Sequence, residues 1–237
     1  MASDELTKLD QISKLTHYEL GVNGIMIRFC ASLAKKWLIG SSLLEMGPAE
    51  GLSTQYLHEE IKDLEVVDAS ELYLNLINAK LPGIKCHQSL FETFEPNRKY
   101  DNIYMGHVLE HVEEPSLIIT RAVGWLKPGG RIIASVPNAD SIHRKIGVRI
   151  GIIKNTSDLS ESDVRIGHRR VFRRKEFEAL FEDLNLKIIE SSGFFLKFFP
   201  NSELEESFSE EFILELMRLG QQSPENSAEL FLVATTL

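Results

Sequence analysis

Apolar positions along the chain change period several times, and each change marks an element. Leu6, Leu9, Ile12 and Leu15, then Ile25, Ile27, Phe29 and Leu33, recur at helical spacing across residues 5–36. Gly21 and Gly24 divide that stretch into two helices. Short unbroken apolar runs follow at Trp37-Leu38-Ile39 with Leu43-Leu44, at Leu64-Glu65-Val66-Val67, at Ile84–His87 and at Tyr100–Gly106. Such runs, bounded by turn residues, read as buried strands. Between them, residues 52–62, 70–80 and Pro115–Trp125 carry helical patterns, with Ser70 as an N-cap and Glu71 in the first turn. Pro82-Gly83 turns the chain, and Lys127-Pro128-Gly129-Gly130 ends the helix before a fifth strand at Arg131–Asn138. Further on come a helix at 174–184, a strand from Leu186, a helix at 202–219 capped by Ser202, and a closing strand at Glu229–Thr235. Strands alternating with helices predict an α/β fold around a parallel sheet.

The first strand runs through Glu45 into Gly47-Pro48-Ala49-Glu50-Gly51, where a helix begins. Glycine is required where the backbone approaches a ligand or φ turns positive. The second strand ends in Asp68, roughly 20 residues past this turn, the βαβ position that holds a ribose diol. The dinucleotide pattern G-x-G-x-x-G is absent. Glu45 and Glu50 place negative charge beside the loop, which disfavours a diphosphate and suits a cationic ligand. Ala49 stands between the two glycines, a position it tolerates with negative φ.

Composition narrows the function classes. The chain has 237 residues, enough for one domain with a sizeable core. Its net charge of −9 argues against phosphate-driven nucleic-acid binding. No run approaches the roughly 18 apolar residues of a membrane span, and Met1–Glu5 is polar, without a signal-peptide pattern. Cys30 and Cys86 sit in apolar patterns and read as reduced core residues, not a disulfide framework. These features predict a cytoplasmic protein with neither membrane nor nucleic-acid partners.

The turn with its preceding Glu45, the Asp68 carboxylate, His107-Val108-Leu109-Glu110-His111-Val112 after the fourth strand, and Leu126–Asn138 fall in a consistent order. Together they resemble the class I S-adenosylmethionine (SAM)-dependent methyltransferases, of the small-molecule kind with a "VLEHV" segment. The resemblance covers residues 40–140 closely and the rest loosely. It implies a Rossmann-like seven-stranded mixed sheet, the last strand antiparallel, with helices on both faces. It also implies an N-terminal helical cover over residues 1–38, all within one domain spanning 1–237. SAM is the cofactor implied, with S-adenosylhomocysteine (SAH) as product. The implied cofactor residues are Glu45, Gly47, Pro48, Ala49, Gly51, Asp68 and Ala69. Ser89, Leu90 and Phe91 follow at the adenine, and Gly106 and His107 face the methionine part. Tyr18 and His17 lie in the cover.

His107 stands where ligands bind in open α/β sheets and is a candidate general base, since imidazole titrates near neutrality. His111 follows four residues on. Two such histidines suggest a metal, but Glu110 does not complete a zincin pattern and no third ligand is evident, so no metal is expected. Residues 139–172 are too long for an ordinary strand–helix loop and read as a substrate lid. They are basic within an acidic chain. His143, Arg144, His168 and Arg169, with Tyr18 and His111, are the substrate candidates, and His168 a second catalytic candidate. Arginine forks suit carboxylate or phosphate, although pairing with Asp158, Glu161, Asp163 and Glu176 accounts for the same charges as a solvated face. The chain is therefore expected to methylate an oxygen or nitrogen of a small, anionic metabolite by direct in-line transfer. A non-catalytic partner with the same fold, an NAD-linked oxidoreductase and a protein or nucleic-acid methyltransferase are the rivals. The last lacks support from an Asn/Asp-Pro-Pro-Tyr/Phe run.

Overall fold

The computed structural model describes residues 18–236. The helix expected from Leu6 to Leu15, and His17, lie outside them. In chain order the elements are α1 (Gly21–Lys35), β1 (Ser42–Met46), α2 (Leu52–Glu60), β2 (Asp63–Asp68), α3 (Glu71–Lys80), β3 (Lys85–Gln88), β4 (Tyr100–Gly106), α4 (Pro115–Trp125), β5 (Leu126–Pro137). They continue with α5 (Ile142–Arg149), α6 (Glu161–Arg165), α7 (Arg174–Glu182), β6 (Lys187–Phe194), α8 (Asn201–Ser207), α9 (Glu210–Gln222) and β7 (Glu229–Thr235).

One seven-stranded sheet has the order β3-β2-β1-β4-β5-β7-β6. The first five strands are parallel, and β7 runs antiparallel to both neighbours. The sheet is covered on both faces, which is why all five residues of β1 are buried. Side chains of a strand alternate between faces. Leu43 therefore packs with Leu57, Ile77, Val22 and Met217 from α2, α3, α1 and α9. Leu44 and Met46 pack on the other side with Ile118, Ile119 and Trp125 of α4 and Phe177 and Phe181 of α7. The order reverses between β1 and β4, and a crevice opens there beyond the carboxyl ends of the strands, the place where open α/β sheets bind ligands.

Local signals set most boundaries. The Ser70 hydroxyl caps α3 by accepting from the Tyr73 amide, as expected. Gly24 lies within α1 instead of breaking it. A Cβ there would stand 2.2 Å from the Glu19 carbonyl oxygen, so close packing, not termination, demands the glycine. The helix expected at 202–219 is two helices. Phe208 is extended (φ −132°, ψ 149°), Ser209 caps α9 through the Phe212 amide, and Pro200, not Ser202, precedes α8. The Phe208 ring stacks on Phe199 and Phe212, which holds the break in place. β5 starts at Leu126, so the Lys127–Gly130 turn joins its irregular opening, where the register with β4 shifts. Among the described residues no helix is long and apolar enough to cross a membrane.

The turn after β1 holds the largest local departure from expectation. Gly47, Ala49 and Gly51 all have positive φ, at 65°, 47° and 85°. Ala49 thus adopts the left-handed conformation that costs a Cβ-bearing residue about 1–2 kcal/mol. At Gly51 a Cβ would also stand 2.8 Å from Ile77 Cγ1. Gly51→Ala is expected to lower unfolding stability by about 1–2 kcal/mol. Ala49→Gly relieves strain but loosens the unfolded chain by about 0.4–1 kcal/mol, so it leaves stability equal or higher. Urea denaturation of both variants checks the contrast, and equal losses would contradict it.

Candidate functional site

A cavity of about 1970 Å³ runs from the β1–β2 edge, past the end of β4, to the 139–172 segment. Its near half is built by the turn after β1. Gly47, Pro48, Ala49, Asp68, Ala69, Leu90, Phe91, Gly106 and His107 all line it, as expected for cofactor residues. Glu45, Gly51 and Ser89 do not. Glu45 is buried one layer behind, its Oε1 accepting from the Ser53 hydroxyl at 2.5 Å. Burial pushes the Glu45 carboxyl up to about 7, tempered by the Ser53 and Thr54 hydrogen bonds. Ser53, which does line the cavity, carries that contact forward.

This half fits SAM on its own geometry. A Cβ on Gly47 would press Val108 Cγ2 at 3.0 Å and stand 3.6 Å from Phe91, so only glycine leaves the cradle open. Asp68 sits at the tip of β2, with Oδ1 accepting from the Ser70 amide at 2.8 Å. Burial raises its carboxyl to about 7. A ligand diol donating to this carboxylate would favour its ionised form, the interaction a ribose would make there. Leu90 and Phe91 offer the apolar wall for a base, and Met26, Ile27 and Tyr18 face them from the α1 side.

The two halves meet at the exit of β4. His107 has a positive φ of 58°, which turns its ring toward the cavity. Its Nδ1 lies 3.1 Å from Glu110 Oε1, and its Nε2 is 3.7 Å from Glu229 Oε2. Burial pushes the imidazole down, but Glu229 and Glu110 outweigh it and hold it at about 9. Burial likewise raises Glu229, and His107 keeps the fully buried Glu110 below the usual carboxylate range. Glu110 Oε2, Glu229 Oε2 and His107 Nε2 are all buried without a hydrogen-bond partner among the described residues. Buried polar groups are normally satisfied, so three orphans at one junction mark a place for a polar ligand.

The far half is walled by the segment expected as a lid, which carries α5 and α6. The structure reassigns its basic residues. Arg144 is buried and spent internally, donating to the carbonyls of Thr156 and Asp158 and to Asp163 Oδ2. Arg169 donates through Nε to the His111 carbonyl, and its amide donates to the Glu110 carbonyl. Arg170, Arg173 and Arg174 engage Glu113, Asp140 and Ser191. His143 lines the cavity with its imidazole pushed down to about 3 by burial and by Lys197 and Arg144. His111 is pushed down to about 4, mainly by burial. His168 is nearly buried, with Nδ1 3.1 Å from Asp163 Oδ1 and Nε2 facing Glu110 Oε1 at 4.0 Å.

Several cavity residues escaped the sequence reading. Lys197 is half-buried in the wall, where burial pulls its ammonium below the ordinary lysine value. It makes no ion pair within 4 Å among the described residues; the Phe195 ring lies 5.8 Å away. A lysine inside Phe194-Phe195-Leu196-Lys197-Phe198-Phe199 was the available signal. Asp163 was announced by the Ser160-x-x-Asp163 capping box, which is present. Glu229, an acid opening an apolar strand, was the third such signal.

The sequence profile of the methyltransferase domain family matches residues 20–191. A trans-aconitate 2-methyltransferase of Methylobacterium radiotolerans is 30% identical over 105 residues, 43% of this chain and 40% of that one. A ubiquinone biosynthesis O-methyltransferase of Rickettsia felis is 26% identical over 161 residues, 64% of this chain and 62% of that one. The chain thus spans less than two thirds of the length of these relatives. The solved N-methyltransferase NodS of Bradyrhizobium japonicum, in complex with SAH, superposes with a TM-score of 0.57 at 16% identity. The superposition covers 91% of this chain and 87% of that one. With the profile matching most of its length and the sheet order and β1 turn in place, the chain belongs to the methyltransferase domain family.

Proposed function

We propose that this protein is a SAM-dependent methyltransferase acting on an oxygen of a small acceptor that carries an anionic group beside an apolar body. The observation that carries the acceptor class is Lys197. An ammonium set in a half-buried wall with no ion-pair partner within 4 Å among the described residues, where the carboxylates of Glu229 and Asp163 act on it only from farther off, is costly to maintain. A carboxylate or phosphate on the acceptor would supply the missing partner. The surrounding wall is apolar, with Ile146, Ile150, Ile152, Phe198 and Phe199 lining the far half. The last four are exposed at its mouth, and exposed apolar residues grouped at a cleft favour a ligand with apolar surface.

When bound, SAM supplies an electrophilic methyl: a lone pair of an ionised acceptor oxygen forms the new O–C bond, the C–S bond breaks, and its electron pair stays on sulfur as SAH, with no proton left to remove. The chain's own part is position. Asp68 and the glycine turn fix one end of the near half, and the His107 junction sits between the halves. Lys197 orients the acceptor's anion from the far side. Alignment of this kind supplies much of the rate in a direct displacement. The names of two relatives support this reading, one for trans-aconitate and the other for O-methylation. Arg144, Arg169 and Arg170 of the 139–172 segment hydrogen-bond to protein carbonyls and carboxylates and brace that segment.

Methyl transfer from deuteromethyl-SAM to a panel of small carboxylates, phosphates and amines, followed by mass spectrometry, tests the assignment. Labelled carboxylates or phosphates support it; label on amines alone would overturn the acceptor class. Lys197→Met is expected to lower acceptor kcat/KM about tenfold or more through KM, with SAH affinity unchanged; a fall in SAH affinity would move Lys197 to the cofactor. Asp68→Ala is expected to weaken SAH binding about 10–100-fold, the loss of charge-assisted hydrogen bonds. Because the Asp68 carboxyl titrates near 7 and the diol favours its ionised form, SAH binding in the parent tightens as pH rises from 6 to 8. Calorimetry across that range should show this trend in the parent and none in Asp68→Ala.

A further inference from the structure

The end of the 139–172 segment brings His168 against the Glu110-His111 pair, a contact that spacing along the chain does not reveal. One ligand atom from each of Glu110, His111 and His168 lies within 4.8 Å of the others. The His111 and His168 rings meet edge to face, with centroids 4.8 Å apart. His168 Nε2 is 4.0 Å from Glu110 Oε1. Bonds of about 2.0–2.2 Å place the donors of a closed metal site roughly 3–3.5 Å apart, so small side-chain rotations complete it.

Two further observations point to a ligand. Glu110 is fully buried, yet its Oε2 has no hydrogen-bond partner among the described residues. Both histidines are also oriented from behind. His168 turns Nδ1 to Asp163, which leaves Nε2 directed at Glu110, and the His111 ring faces the backbone of Gly167. Asp163 is in turn fixed by Arg144 and the Ser160 hydroxyl. A ligating histidine characteristically hands its other nitrogen to a carboxylate or carbonyl in this way.

We propose that Glu110, His111 and His168 bind one divalent transition-metal ion, of the zinc, cobalt or manganese kind. Two imidazoles and a carboxylate form the donor set of catalytic sites that keep open positions. All of His107, His111 and His168 line the cavity, so those positions face the acceptor space. The ion would pin the 139–172 segment to the sheet edge and coordinate the acceptor's oxygen. Binding of the ion rests on this geometry alone; its part in turnover rests on the methyl-transfer reading.

The test uses the full chain, stripped with chelator and titrated with Co²⁺ and Zn²⁺, with SAH affinity measured separately. One ion per chain is expected, with imidazole-type visible absorption for Co²⁺. In the wild-type Co²⁺ form, two exchangeable imidazole N–H signals shift strongly, those of His168 toward Asp163 and His111 toward Gly167. Asp163→Asn is expected to weaken the ion about 10–100-fold, and His168→Gln and His111→Gln more. Absence of uptake, absence of the two shifted signals, or unchanged binding in His111→Gln and His168→Gln variants that still bind SAH would overturn the site. Should the variants fail to fold, the wild-type Co²⁺ spectrum decides alone. Failure of metal uptake with SAH binding intact removes only the metal; loss of SAH binding with uptake intact removes the methyl-transfer reading.

Discussion

The buried carboxylate of Glu110 is the constraint on which the rest of the site depends. It has no exposure to solvent and stands in the turn that leaves β4. Taking an ionised carboxylate out of water is costly unless charge and hydrogen bonds replace the lost hydration. Here the replacement comes chiefly from His107, which stands 3.1 Å from Glu110 Oε1 and is held in its charged form, with the rings of His111 and His168 closing the remaining sides. The backbone carbonyl of the same residue accepts the Arg169 amide. One residue thus ties the tip of β4, the cofactor edge and the return from the 139–172 segment into a single arrangement. The positive φ of His107 is part of this cost. A strained residue persists only where its surroundings over-determine it, and Glu110 and Glu229 bracket its ring from two sides.

The same reasoning separates the basic residues around the far half of the cavity into two kinds. Arg144, Arg169, Arg170 and Arg173 reach carbonyls and carboxylates of the protein, and fasten the 139–172 segment to itself and to the turn after β4. Lys197 enters the cavity from the far wall, outside that segment. Counting charges along the sequence favoured the first group because arginines cluster there. Guanidinium forks are equally suited to buttressing irregular backbone, since a long excursion leaves carbonyls that need donors. The cluster is therefore the means by which a loop of this length holds one shape.

Much of the fold was legible because it rests on local and periodic signals. Apolar runs gave the strands, and Ser70 and Pro115 gave helix starts. The Gly47-to-Asp68 interval marked the near edge of the cavity. What was not legible depends on contacts between distant segments. Gly24 looks like a helix breaker until the Glu19 carbonyl is seen against it. The split at Phe208–Ser209 follows from ring stacking with Phe199 and Phe212, which periodicity does not register. Ala49 violates a backbone rule that the sequence alone would have it obey. Local rules fail in this way at functional loops, where surrounding structure outweighs intrinsic preference.

His168 shows the limit most clearly. From the sequence, His107 and His111 share a turn and lack a third partner. Only the fold, by passing the chain from β5 through α5 and α6 and back to the β4 edge, sets His168 beside them. The Ser160-x-x-Asp163 capping box that begins α6 also positions the carboxylate that orients this histidine. A local helix-start signal in the sequence and the carboxylate that holds His168 are thus the same residue, Asp163. Arg144, itself buried, neutralises that carboxylate from the opposite side. The direction of dependence runs from Arg144 through Asp163 to His168 and then to Glu110. Each member is buried enough that removing one leaves its neighbour's charge or donor unpaired. Mutual bracing of this kind is what orients the first contacts of a preorganised site.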